Sequence, residues 1–171
     1  MRGAALLLAL LAGCAAPAGT PDLAARLPAE AAGFLRGETG PPGGTPLRVE
    51  YATANRAAVA TVAIAERTPP LRERDGAALD AALGGAVGSV LATMPERSGR
   101  QLAERERYEL PGLRCSLLRG TFGRAPVARH VCVGATAGRL VTIEVTMADR
   151  TPPPAEAEAF ARAVIASLGR R

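Results

Sequence analysis

The sequence predicts an α+β protein: an antiparallel β-sheet of about six strands packed by two helices, in the order β-β-α-β-β-β-β-α. Three observations predict it. Residues 47–67 read as a hairpin of two apolar-alternating runs about a central Asn55-Arg56. Residues 76–94 place Leu79, Leu83, Val87, Val90, Leu91 and Met94 at helical spacing. Residues 100–147 hold four strand-like runs divided by glycine-bearing turns, and a last helical run follows.

The first pair of strands has a definite register. With Asn55-Arg56 as a two-residue turn, opposed positions sum to 111, so Leu47 faces Ile64, Val49 faces Val62 and Tyr51 faces Ala60. That puts one apolar ladder on one side of the pleat. The stretch before it, GETGPPGGTP over 37–46, is loop, because its prolines and glycines favour neither helix nor strand. Between that loop and the amino-terminal tether, LPAEAAGFLRG reads as a short docking segment.

The middle helix opens at Asp75, a residue suited to the N-cap, and Pro95 follows its end. Gly84, Gly85 and Gly88 weaken it, so close packing at these glycines is expected to compensate. The GGAVGS stretch lies inside this helix and no Gly-Lys-Ser/Thr follows, which argues against a phosphate loop. Residues 100–110 alternate charge as ERER and read as a solvated edge strand. Strands are expected near 113–122, 126–134 and 139–147. The last helix is expected to open at Thr151-Pro152, with Thr at the N-cap, and to bury Phe160, Val164 and Leu168.

The chain has three cysteines, an odd number, so one is unpaired or has another use. Cys14 follows Arg2 and an apolar run from Ala4 to Ala12, which is too short to cross a bilayer as a helix but suits a secretory leader. Leu11-Ala12-Gly13-Cys14 resembles the lipobox of bacterial lipoproteins. That resemblance implies removal of residues 1–13 as a signal peptide, attachment of diacylglycerol to Cys14, and acylation of the new amino terminus by a fatty acid such as palmitate. Several acyl chains make a durable anchor where one does not. Residue 15 is alanine rather than aspartate, so the resemblance points to the outer membrane, facing the periplasm. The expected organisation is signal peptide 1–13, lipidated tether 14–29 and a single domain 30–171.

Cys115 and Cys132 are expected to form a disulfide. A Gly123-Arg124 turn makes opposed residues sum to 247, as 115 and 132 do, and places them at a non-hydrogen-bonded pair with Cα atoms ~4.5 Å apart. Extending the register through GATAG suggests that the last two strands pair with positions summing to 272. Val131, Val141, Ile143 and Val145 would then share a core face with Leu118 and Phe122. The other face would carry the disulfide together with Arg119, His130, Thr142 and Glu144. Arg119, His130 and Glu144 are the candidate polar-ligand face, one base, one acid and one titratable group. This is the one histidine of the chain and no nucleophile is placed beside it, so the plainer reading is a solvated or covered surface with no catalytic residue and no metal site.

All 21 basic residues are arginines, which together with abundant alanine and glycine reflects coding bias as much as function. The formal charge of +5 is spread along the chain and falls to about +4 if Arg2 is removed (5 − 1). With no tryptophan, two tyrosines and three phenylalanines, a stacking platform for nucleic acid is not expected.

The element order and the closing EAEAFARAVIASL, with Phe160, Val164, Ile165, Ser167 and Leu168, resemble the PsbP-like α+β fold over roughly residues 30 to 168. The first strands and GFLRG are also similar to uncharacterised exported proteins of proteobacteria. Members of that fold are mostly accessory or assembly proteins, so the resemblance implies a non-enzymatic interaction module without a cofactor, with the membrane and an envelope protein as its partners. Two other readings are a carrier of a small amphiphile or anion in a sheet–helix pocket, and an enzyme built on Arg119, His130 and Glu144.

Overall fold

The computed structural model describes residues 20–40, 46–65, 76–92 and 99–170. Its elements are α1 (Thr20–Arg26), β1 (Glu30–Ala31), β2 (Phe34–Thr39), β3 (Leu47–Thr53), β4 (Ala58–Ile64), α2 (Gly76–Ala92), β5 (Arg100–Leu110), β6 (Leu113–Phe122), β7 (Ala125–Thr136), β8 (Arg139–Ala148) and α3 (Ala157–Gly169). The eight strands form one antiparallel sheet in the order β1-β2-β3-β4-β8-β7-β6-β5. This corrects the expected six-stranded sheet with two helices. The additional elements all come from residues 20–39. Ala32 and Gly33 both adopt positive φ, 49° and 80°, and fold 30–39 into a hairpin that adds two strands beside β3. No helix among the described residues is long and apolar enough to cross a membrane.

The stretch read as tether also joins the domain from Thr20 onward. Leu23 and Ala24 of α1, and Leu27 directly after it, are buried in the main core. Arg36 Nη1 donates to the Leu27 carbonyl at 3.3 Å, and Tyr51 Oη donates to the Pro28 carbonyl at 2.9 Å, which fixes the path from α1 into the sheet.

The main core lies between one face of the sheet and the helices α1 and α3. Val49 and Tyr51, Ala60, Val62 and Ile64, and Val141, Ile143 and Val145 supply the sheet side. Phe160, Val164 and Leu168 supply the helix side. A second, smaller core lies on the opposite face, where Leu83, Val87 and Val90 of α2 meet Leu118, Val131 and Val133. Helix α2 therefore covers only the β5–β7 end of its face.

Helix α3 starts at Ala157, not at Pro152, and Glu156 at its N-cap makes no side-chain capping bond. The reason is local: a residue that precedes proline is driven out of the helical region, and 152–154 is Pro-Pro-Pro. The Thr151-Pro152 peptide is cis. Asp75, Met94 and Pro95 lie outside the described residues.

The glycines of α2 are not at a close contact. A Cβ placed on Gly84, Gly85 or Gly88 would meet no neighbouring atom within 4 Å, so their propensity cost stands without compensation. Gly85→Ala with Gly88→Ala is therefore expected to raise stability by about 1–2 kcal/mol for the pair, since each exposed helical Gly-to-Ala change is worth about 0.5–1 kcal/mol. An unchanged or lowered urea midpoint would show that these positions contact something. Gly120 is the opposite case, where a Cβ would collide with the Gln101 carbonyl oxygen of the neighbouring strand.

Strand β5 is one edge of the sheet, as its ERER run suggested, and the two-residue β1 is the other. Its ladder with β6 shifts by one residue between Glu104 and Glu106. That bulge brings Glu104 and Arg107, three apart in a strand, to the same face, where they form an ion pair at 2.7 Å. Glu104 also accepts a hydrogen bond from the fully buried Ser116 hydroxyl at 2.8 Å. The Arg107 and Ser116 hydrogen bonds hold the Glu104 carboxyl below its ordinary pKa.

Candidate functional site

The β6–β7 ladder has the expected register, with every opposed pair from Leu113↔Gly134 to Phe122↔Ala125 summing to 247. Cys115 and Cys132 face each other with Cα atoms 4.1 Å apart and are disulfide-bonded. The β7–β8 ladder does not have the expected register. Ala137 and Gly138 take φ of 50° and 72° and make a two-residue turn, so Thr136 pairs with Arg139 and opposed positions sum to 275 rather than 272. An odd shift turns every side chain of β8 to the other face.

That shift divides the predicted site. Glu144 pairs with Val131 on the α2 side of the sheet, where it lies 3.6 Å from Arg129 Nη1. His130 pairs with Val145 on the α3 side, and Arg119, opposite Ala128 on that same side, forms an ion pair with Asp149 at 3.2 Å. Val141, Ile143 and Val145 thus share the face of the disulfide, not the face of Val131 and Leu118. The sulfurs are accordingly core atoms, with Cys115 and Cys132 both buried.

His130 has a partner that the sequence reading did not find. Tyr108 of β5 stands opposite Cys115, one strand further out, and its Oη lies 2.7 Å from His130 Nδ1. The rings meet edge to face with centroids 6.2 Å apart. Burial pushes the Tyr108 phenol well above its ordinary pKa, with Glu158 and Glu106 reinforcing and Arg162 opposing. Burial also holds the His130 imidazole below 6.5, with Glu158 opposing and Arg119 reinforcing. Both groups are therefore neutral near pH 7, and the tautomer of His130 sets which of Tyr108 Oη and Nδ1 donates in the bond between them. The pair works as a hydrogen-bonded strut beneath α3, and its shifts oppose proton exchange at neutral pH.

A pH dependence follows. Because the folded pKa of His130 is depressed, the unfolded chain binds the proton more readily. Its stability contribution is therefore present above about 6.5 and is lost as pH falls through the lower folded value. His130→Gln is expected to flatten the loss of stability between about pH 7.5 and about pH 5, measured by urea unfolding. An unaltered slope would count against this assignment.

A surface with room for a partner lies elsewhere. Because α2 covers only β5–β7, no element among the described residues covers the same face of β2, β3 and β4. A row of paired residues crosses it from Leu35 through Ala52 and Val59 to Thr146. Leu35 and Val59 are each 47% exposed and are the large hydrophobic side chains left exposed among the described residues. Small Ala52 lies between them, so the row is a trough, part of a groove of about 660 Å³. Glu50 and Glu144 lie in the next row, with Thr61 between them. Arg129 closes the far end, donating to Thr146 Oγ1 at 2.7 Å. Outward-facing Val59 was the available sequence signal, since AVATVAI is apolar on both parities of β4. Among the described residues no group of three or more His, Cys, Asp or Glu is placed to hold a metal ion. No protein-family model matches the chain, and no curated protein matches it either.

Proposed function

We propose that this chain is a non-enzymatic lipoprotein of the cell envelope, anchored through Cys14 to the outer membrane, and that it serves as an interaction module for another envelope protein. The anchor reading is supported by Leu11-Ala12-Gly13-Cys14 and the short apolar run before it. The interaction reading is carried by the open trough of Leu35, Ala52 and Val59. Two large apolar side chains held side by side on a paired sheet favour a protein partner with a complementary apolar ridge. The carrier alternative needs room between the sheet and α2. Leu83, Val87 and Val90 fill that space against Leu118, Val131 and Val133, so this alternative is not carried further.

Photocrosslinking from position 59 in native envelopes is expected to capture the same protein neighbour in repeated trials. Leu35→Arg should abolish capture from position 59, with a stability change within about 0.5 kcal/mol because Leu35 is exposed. Failure to find any reproducible neighbour would sink the interaction reading. Separately, Cys14→Ser is expected to move the chain from the membrane to the soluble fraction, and membrane retention of that variant would sink the anchor reading.

A further inference from the structure

We infer that the margin formed by α1 and the last turn of α3 rests on the anionic headgroup surface of the bilayer, so that the groove faces away from the membrane. This inference rests on acylation of Cys14, as proposed above, and adds which side of the domain the anchor holds down.

The first argument is reach. Six residue steps separate Cys14 from Thr20 (20 − 14), and an extended chain covers at most about 3.6 Å per residue, which allows about 22 Å. A chain anchored at Cys14 therefore cannot carry the start of α1 further than that from the lipid. The second argument is rigidity. Helix α1 is part of the packed domain, with Leu23 and Leu27 buried and Arg26 Nη1 donating to the Arg170 carbonyl at 3.0 Å. The anchor thus pulls on a fixed point of the fold, and α1 adds only about 10 Å over its seven residues.

The third argument is chemistry. Arg26 and Arg170 are exposed in this margin, and neither forms an ion pair among the described residues. Beside them, Ala163 and Ala166 of α3 line a shallow cleft with Pro28. In the lining of that cleft Glu30 offsets Arg170, and Arg26, bonded to the Arg170 carbonyl, adds one positive charge beside it. Small side chains beside two exposed arginines let the backbone approach a flat surface while the guanidinium groups meet phosphates. Helix α3 lies on the sheet face opposite the trough of Leu35 and Val59, so docking this margin leaves the groove open to the aqueous side.

The chain contains no tryptophan, so a single introduced indole is a clean reporter. The experiment uses the full acylated protein from a lipoprotein-processing host, in phosphatidylethanolamine–phosphatidylglycerol vesicles carrying lipids brominated near the headgroup. Ala166→Trp is expected to lose most of its emission to the bromines, and Val59→Trp to keep its emission. Reversing charge with Arg26→Glu and Arg170→Glu in the Ala166→Trp background should restore emission, as should raised salt, while intact mass still shows an acylated Cys14. An acylated protein whose Ala166→Trp emission is untouched, or whose Val59→Trp is the one quenched, would overturn the orientation and leave the anchor reading standing. Shielding of Ala166→Trp that requires added envelope protein would overturn it in favour of a protein partner. A bare Cys14 thiol in the intact mass would overturn both.

Discussion

Replacing Phe160 with alanine is expected to lower the unfolding free energy by about 3–5 kcal/mol, the usual cost of emptying a fully buried aromatic site. Phe160 is 0% exposed, and its ring lies 4.6 Å from that of Phe34 and 5.1 Å from that of Tyr51, centroid to centroid. One side chain thus joins α3 to β2 and β3. The chain has only five phenylalanines and tyrosines (3 + 2), and three of them are in this cluster, so little neighbouring bulk exists to collapse into the hole. Phe160→Leu keeps most of the volume and is expected to cost roughly half as much. Urea unfolding followed by circular dichroism checks both. A loss below about 1 kcal/mol for the alanine variant would mean that α3 is held mainly by something other than this contact.

Loss of the Cys115–Cys132 bond is the second large effect expected. The partners are 17 residues apart, and closing a loop of that size removes enough unfolded-chain freedom to be worth about 3 kcal/mol. Cys115→Ala with Cys132→Ala, or reduction of the native chain, should lower the urea midpoint accordingly. The double variant should retain the fold, because both side chains are buried among apolar neighbours and alanine presents no polar atom to them. Equal midpoints for oxidised and reduced protein would show that the bond adds nothing to stability.

How far the sequence was legible depended on its turns. Asn55-Arg56 and Gly123-Arg124 stand at turn centres that register arithmetic can use, and the pairings Leu47↔Ile64 and Cys115↔Cys132 follow from them. Ala32-Gly33 and Ala137-Gly138 make two-residue turns, yet alanine in the left-handed region is disfavoured by about 1–2 kcal/mol and is not read as a turn former. Missing the first concealed β1 and β2. Missing the second moved β8 by three positions and placed Glu144 beside Arg119 and His130, a face it does not occupy. The late start of α3 was legible in Pro152, Pro153 and Pro154 taken together. The open trough was legible only at Val59, an apolar residue on the outward parity of β4, because its extent depends on which strands α2 covers.

The pairing of β4 with β8 has a consequence in time. Ala58 faces Met147, 89 positions later (147 − 58). Contacts of such sequence separation form slowly, because the intervening chain must be closed before they reward it. A polypeptide that emerges amino terminus first therefore presents Ala60, Val62 and Ile64 long before their neighbours in β8 exist. Assembly of this sheet is postponed until nearly the whole chain has been made, and the last two elements to appear, β8 and α3, complete what the earlier ones cannot hold alone.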